Sequence, residues 1–528
     1  MSTSAPSSAS TTPARAPLVL GTLILAALVC NVNLSVANIA LPDIGLAFDA
    51  AQTQLNLVAI GCSLGLAMSV LYLGAIGDRY GRKLLLILGL VLTLPFSALA
   101  AWAPSVDVLI AARILTGVAA GMAFPTTLAL ITALWSAGPQ RLRAIALWSG
   151  VSGGAAILGP VIAGGLLEVA WWGSVFLIAV VPAVIAIPLV IWVVPAHVNE
   201  STERVDHLGG VLSVAMISLL VIGLGLISAP GLMPVSVVLM ALAAVLVVAF
   251  FIQQRHAQPP LYDLHYAGRR LFWVAAVAGM IVFGSLMGAM FVGQQFLQNV
   301  LNYSTLMAGL AVLPAAFGMM LAAPVSARLV QSYASRVTML IGYTSILLGF
   351  LIMLISWRAT TAYVWVGAAY LLVGVGAGIA LTPASRLLTS SVPVSRVGMA
   401  SGTSDLQRDL GGAILQALLG SLLTAGYAAK MLSQISSSPD ASNVTASTQA
   451  ALQMSYASAA NVSKSFPQYA EQIIQAAQQS FLEGANWAYA AAAFAVIIGG
   501  LLVLLRLPGA KAEAALLADY ARADNAAR

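Results

Sequence analysis

Four charges stand inside long apolar stretches of this 528-residue chain: Arg113, Asp405, Arg408 and Asp409. A bare charge at the centre of a bilayer costs about 2.5 to 3.5 kcal/mol on insertion scales, so such residues face a cavity or a partner and mark ion or substrate paths. Asp405 and Asp409 are four apart, which puts both on one face of a helix. Two carboxylates on one face of a low-dielectric cavity repel when both are ionised, which favours the protonated form of at least one. Such a group can load and release a proton. Asp409 is the better candidate, because Arg408 could neutralise Asp405 in a static ion pair that only fixes helix packing. Arg113 is a fixed cation that would bias a nearby carboxylate or receive an anionic substrate, or else snorkel to the outer headgroups. Asn31, Asn33, Asn38, Gln294, Gln295 and Gln298 can orient a substrate by hydrogen bonds, although helix association is the commoner role of such residues. The substrate-binding candidates are Asn33, Asn38, Gln294 and Gln298, with Asp405. The chain has no G-x-x-x-x-G-K-[S/T] run and no grouping of His and Cys that suggests a metal. The expected chemistry is ligand binding and proton transfer with no cofactor, the proton being the coupling ion.

These residues must be held by elements that cross a membrane. Apolar residues make up 60% of the chain and charged ones 8%, with a mean hydropathy of +0.96. Soluble chains carry about 25% charged residues, so soluble enzymes, nucleic-acid readers and disordered scaffolds are excluded. A helix needs about 20 apolar residues to span a hydrocarbon core of about 30 Å, and fourteen such stretches follow one another. The fifth covers 144–167, the tenth 305–330, the eleventh 338–357 and the thirteenth, which carries both acids, 398–424. At about 1.5 Å per residue, Asp405 and Asp409 lie roughly a third and a half of the way across. Barrel strands would instead alternate over about ten residues. The fold expected is an all-α polytopic membrane protein with fourteen transmembrane helices, arranged as two six-helix halves plus an inserted helix pair.

Short cytoplasmic loops collect Lys and Arg. With the amino terminus inside, 18 of the 23 basic residues fall on the inner side and only Arg358, Lys430 and Lys464 on the outer. Both termini are therefore expected in the cytoplasm, and the net charge of +6 reflects orientation and attraction to anionic lipid rather than nucleic acid. Residues 1–16 read as a disordered tail and 17–195 as the first six-helix half. Cytoplasmic linkers at 196–208 and 253–270 flank the inserted pair, 209–252. Residues 271–506 form the second half and 507–528 a cytoplasmic tail. Within the second half, 425–484 reads as a periplasmic loop, where Ile473, Ile474 and Phe481 suggest a short helical hairpin over the exit; a tolerated insertion is the alternative. Cys30 and Cys62 fall inside spans and read as packing thiols.

Two runs relate the halves to each other. Gly74-Ala75-Ile76-Gly77-Asp78-Arg79-Tyr80-Gly81-Arg82-Lys83 follows the second span, and Ala327-Arg328-Leu329-Val330-Gln331-Ser332-Tyr333-Ala334-Ser335-Arg336, after the tenth, is a decayed echo of it. Paired halves with a site between them are the usual architecture of secondary transporters. The first run is similar to the loop signature of the major facilitator superfamily, G-x-L-x-D-R-x-G-R-K, with Ile76 in place of Leu. Arg113-Ile114-Leu115-Thr116-Gly117 resembles that family's fourth-span signature, and Gly159-Pro160-Val161-Ile162-Ala163-Gly164-Gly165 the fifth-span signature of its proton-driven antiporters. The run from Val32 to Pro42 resembles the first-span signature of the fourteen-span drug:proton antiporter branch.

The resemblance implies that Gly74, Asp78, Arg79, Gly81, Arg82 and Lys83 latch the two halves in one state and release them in another; plain anchoring at the inner face is the alternative. Pro160 removes a backbone hydrogen bond and bends its helix, while Gly159, Gly164 and Gly165 let a neighbour pack closely. In the family this segment is a hinge or seal associated with export. The resemblance also gives Arg113 and the acids of the thirteenth span a part in proton coupling. Where the branch commonly carries Asp in the first span this chain has Asn33, and the second span lacks an acid near Leu57, Ile60 and Cys62. A dication would find few counter-charges there. The reading is a proton-coupled secondary transporter in a bacterial inner membrane, working as a monomer by alternating access. It would export lipophilic or amphipathic compounds that are monocationic, zwitterionic or neutral, and its partners are this small molecule, protons and membrane lipids. Export of an endogenous lipid or metabolite, an uptake symporter, and a non-transporting membrane sensor or scaffold are the alternatives.

Overall fold

The structure is a computed structural model, which describes residues 15–135, 140, 144, 147–148, 159–196, 204–229, 231–393, 397–439 and 444–526. Nearly all of the expected tail 1–16 and half of the expected fifth span lie outside them. Among the described residues the chain is helical, without a strand. The first half holds α1 (Ala16–Phe48), α2 (Gln52–Tyr80), α3 (Arg82–Ala101), α4 (Val106–Leu134), a helical stretch α5 (159–167) and α6 (Val180–Val193). The inserted pair is α7 (His207–Leu226) and α8 (Met233–His256), followed by a single turn, α9 (Leu264–Ala267). The second half holds α10 (Arg270–Asn299), α11 (Thr305–Ala311), α12 (Leu313–Ser356), α13 (Tyr363–Ser390), α14 (Val397–Ser437), α15 (Ala446–Met454), α16 (Tyr456–Ser465) and α17 (Ala470–Arg506), and the chain ends on α18 (Ala510–Ala526).

Twelve helical stretches among the described residues are long and apolar enough to cross a membrane. One of them, Thr305–Ser356, has 52 residues, about 78 Å of helix at 1.5 Å per residue and far more than a bilayer needs. It is broken at Ala334, whose φ of 64° and ψ of 176° leave the helical region. The twelve are therefore not the fourteen counted from sequence: the expected tenth and eleventh spans share this helix, and half of the expected fifth lies outside the described residues.

Small residues bring the helices together. α2 and α4 cross where a methyl group on Gly65 would lie 2.9 Å from the Gly117 Cα. α14 packs on α10 and α17 within its own half and on α2 and α7 across the molecule. Ile60, Leu64 and Ala67 of α2 meet Ala413 and Ala417 of α14 and Ile217 and Val221 of α7, so the inserted pair rides on the seam between the halves. Asp206 ties that pair at its start. Its carboxylate accepts from the Gly209 N–H at 2.9 Å, capping α7, and from the Gln253 and Gln254 amides of α8 at 3.1 and 2.8 Å.

Two expectations about the second half are corrected. Ile473, Ile474 and Phe481 lie in α17 itself, and α14 runs on to Ser437, so 425–437 and 470–484 extend the two flanking helices. The hairpin between them is α15 and α16, each capped by a hydroxyl: Thr445 accepts from the Thr448 N–H and Ser455 from the Ser458 N–H. The tail, 507–528, carries a helix that its composition did not announce.

Candidate functional site

Asp405 and Asp409 project from α14 at 7% and 5% exposure. Neither forms a hydrogen bond or ion pair with the described residues, and Asp409 Oδ2 is fully enclosed without a partner. The Cys30 thiol of α1 and the Cys62 thiol of α2 lie within electrostatic reach of Asp409, so this carboxylate of the second half faces the first. The static pair between Arg408 and Asp405 is not formed. Instead the Arg408 guanidinium carbon lies 5.8 Å from the Phe124 ring centre on α4 and 5.1 Å from that of Phe283 on α10. Contacts of this kind contribute about 0.5 to 2 kcal/mol, and here they place the cation between the halves.

Arg113 does not snorkel. It is 0% exposed, its Nε donates to the Val58 carbonyl at 3.4 Å, and its guanidinium carbon stands 5.3 Å from the Phe176 ring centre. Both terminal nitrogens are buried without partners. The close α2–α4 crossing explains the burial, since a methyl group on Gly61 would meet the Arg113 Cβ at 2.9 Å. Arg113 touches neither Asp405 nor Asp409.

The amide candidates separate into two groups. Asn31 and Asn33 donate to carbonyls of their own helix, those of Ala27 and Val29, at 3.0 and 3.2 Å. Asn38 Oδ1 and both amide atoms of Gln294 are buried and unpartnered, which leaves them able to take a polar group. Gln295 and Gln298 do other work. Gln295 Oε1 accepts from Gln52 Nε2 at 3.0 Å, and Gln298 Nε2 donates to the Ile39 carbonyl at 3.0 Å, so both join α10 to the first half.

They belong to a larger seal at the end of the bundle where α1 turns into α2. There Asn56 Nδ2 donates to Thr424 Oγ1 at 3.1 Å, Ser455 Oγ to the Ala50 carbonyl at 2.9 Å, and Asn461 Nδ2 to the Leu46 carbonyl at 3.3 Å. Thr305 Oγ1 donates to the Gly164 carbonyl at 3.0 Å and to Glu168 at 3.3 Å, and the Leu306 N–H donates to Glu168 at 3.2 Å. Hydrogen bonds from the Ser304 hydroxyl and then the Leu306 N–H hold the exposed Glu168 carboxyl below the usual carboxylate range. Pro160, Gly164 and Gly165 lie in this contact, whereas Gly159 packs on α1, where a methyl group would sit 2.5 Å from Ser35 Oγ. A methyl on Gly164 would sit 3.0 Å from the Leu306 Cα, and one on Gly309 would sit 2.6 Å from the Pro160 carbonyl oxygen. A cavity of about 50 Å³ beneath the hairpin, lined by Gln52, Leu55, Gln295, Asn299 and Tyr456 among others, has room for water but not for a drug-sized molecule.

The opposite end, called here the basic end, carries the 74–83 run. Gly81 takes a φ of 116°, a left-handed turn that glycine adopts without strain. Asp78 accepts from Arg82 Nε at 2.8 Å, Arg82 reaches the Ala129 carbonyl at 3.4 Å and Lys83 the Ile191 carbonyl at 2.8 Å. These partners all lie in the first half. Gly74 has open space around it and Arg79 ends the exposed last turn of α2. Sequence reasoning missed Gln52, Asn56, Thr424, Ser455 and Glu168. Only the i, i+4 spacing of Gln52 and Asn56 hinted that a polar face enters the second span.

A family model described as Major Facilitator Superfamily matches residues 23–416. The multidrug efflux pump LfrA of Mycolicibacterium smegmatis is 32% identical over 420 residues, covering 79% of this chain and 82% of that protein. The multidrug resistance protein Stp of Mycobacterium tuberculosis is 31% identical over 75% of this chain and 74% of its own length. The methyl viologen resistance protein SmvA of Salmonella typhimurium is 28% identical over 78% and 84%. Among solved structures, an inward-facing, unoccupied bacterial homolog of the human lysosomal transporter Spinster has a TM-score of 0.59 at 15% identity, covering 93% of this chain and 98% of that one.

Proposed function

Because the chain belongs to the Major Facilitator Superfamily, a family of multi-pass membrane transporters of small molecules, we propose that it is a proton-coupled exporter of lipophilic or amphipathic compounds. The observation that carries this reading is the placement of Asp405 and Asp409: both buried and without a hydrogen bond or ion pair among the described residues, with Asp409 within reach of Cys30 of α1 and Cys62 of α2. An unpaired buried carboxylate is costly while ionised, which is what a group that exchanges a proton for a cargo requires. The curated relatives named as efflux pumps support export as the direction. The cargo is monocationic, zwitterionic or neutral, since Asn33 stands where the antiporter branch commonly has an acid.

The topology proposed is fourteen crossings in a bacterial inner membrane, with two six-helix halves and the inserted pair. Counting Thr305–Ser356 as two crossings and adding the 144–167 stretch brings the twelve candidates to that number. The basic end faces the cytoplasm with both termini, as the distribution of Lys and Arg requires, and the protein works as a monomer. In this orientation the seal lies outside and the 74–83 run inside.

In the cycle, cargo enters from the inner side or inner leaflet while the acid pair is deprotonated. After the halves rock, an external proton displaces the cargo and resets the carrier. Asn38 and Gln294 offer the unpaired hydrogen-bonding groups that would orient the cargo. Proton release on adding a lipophilic monocation to purified protein tests this reading: the parent should release protons, Asp409→Asn should not, and Asp405→Asn should release fewer. Equal release from all three would refute the assignment.

A further inference from the structure

In the second half, the counterpart of the 74–83 turn has lost its carboxylate. Aligned on Tyr80 and Tyr333, Asp78 corresponds to Gln331, Gly81 to Ala334 and Arg82 to Ser335. The backbone nevertheless makes a turn of the same hand: φ is 116° at Gly81 and 64° at Ala334, and each residue stands just before the next run of helix. Glycine takes that conformation freely, whereas alanine is strained in it. The helix that restarts at Ser335 also opens with backbone N–H groups that have no partner within the helix. Something outside the turn must satisfy them.

Glu513, in the first turn of α18, does so. It is 3% exposed; its carboxylate accepts from the Ser335 N–H at 3.1 Å, from Ser335 Oγ at 3.0 Å and from Arg386 Nη1 at 3.3 Å. The parallel with the first half extends beyond the acid. There the carboxylate meets Arg82, which reaches Ala129 near the basic end of α4; here it meets Ser335 and Arg386, the latter near the basic end of α13. A negative charge at a helix start is favoured by the helix dipole. The far end of α18 is fixed as firmly. Asp524 pairs with Arg269, which also donates to the Ser391 carbonyl at 2.6 Å and lies between the rings of Tyr266 and Tyr520, 4.7 Å from each centre.

We propose that Glu513 supplies the carboxylate missing from the second half's turn, so that the C-terminal helix is a positioning part of the carrier rather than a trailing tail. Through Glu513 and Asp524, α18 binds the basic ends of α10, α12 and α13 into one body able to move as a unit. The placement stands on these contacts alone; its importance for transport rests on the export reading above.

The test uses the full chain reconstituted in lipid, with amide hydrogen exchange of residues 334–339 and proton-driven efflux of a fluorescent lipophilic cation measured side by side. Glu513→Gln should speed exchange in that segment about tenfold, as losing a charge-assisted hydrogen bond does, and lower efflux several-fold. Adding Gln331→Asp should restore both, because an acid there stands four residues before Ser335 as Asp78 stands four before Arg82. Gln331 is exposed, so this second change does not disturb packing. Unchanged exchange in Glu513→Gln, or a defect that Gln331→Asp leaves untouched, would overturn the proposal. If exchange responds and is rescued while the parent exports nothing, the turn assignment holds and the export reading fails.

Discussion

An enclosed, unpartnered oxygen on Asp409 is costly to leave inside a membrane protein while the group is ionised, and no hydrogen bond or ion pair with the described residues offsets that cost. Arg408 is turned to Phe124 and Phe283 instead. The i, i+4 spacing made the acid pair legible in the sequence, but not the fate of Arg408, because a sequence does not say which neighbour a long side chain will choose. Glu168 was not legible at all: it gains its role only when a hydroxyl and a backbone N–H from the other half arrive beside it. Hydrogen bonds hold its carboxyl below the usual carboxylate range, so the ionised form favours the seal. The contact should be fully present above the ordinary carboxylate pKa and lost as pH falls through the lowered value. Distances between spin labels across the sealed end should therefore stay short from neutral to mildly acid pH and lengthen only in strong acid. In Glu168→Gln the long-distance population should already appear at neutral pH.

At the scale of the element, close approach decides where the functional groups sit. The α2–α4 crossing at Gly65 and Gly117 encloses Arg113, and Gly117→Val should cost about 1 to 3 kcal/mol through overpacking, seen as a lower thermal midpoint in detergent. The apolar runs made the helices readable, yet their ends were not, because Ala- and Gln-rich segments such as 425–437 and 470–484 remain good helix formers beyond the apolar core. The strap formed by α15 and α16 belongs to the second half in sequence but bonds to the α1–α2 turn through Ser455 and Asn461. An oxidised pair made by Leu46→Cys and Asn461→Cys should hold the sealed end shut and stop transport, and a reductant should restore it. Transport that continues through the cross-linked form would show that the strap does not move in the cycle.

At the scale of the whole molecule, the hydrogen bonds that join the halves among the described residues gather at one end, while those of Asp78, Arg82 and Lys83 at the other stay within the first half. In the orientation proposed above, a carrier closed at this end would take cargo from the cytoplasmic side. The repeated turn was visible in the sequence, because a duplicated run survives divergence. The conformational state was not, because it is set by contacts between residues some 250 to 400 apart in the chain, such as Gln52 with Gln295 and Ser455 with Ala50. If proton and cargo compete for the acid pair, cargo binding must expel a proton, and that can be read directly. Titrating purified protein in weak buffer with a transported monocation should acidify the solution for the parent and leave it unchanged for Asp409→Asn; acidification of the same size in the variant would contradict coupling through this carboxylate.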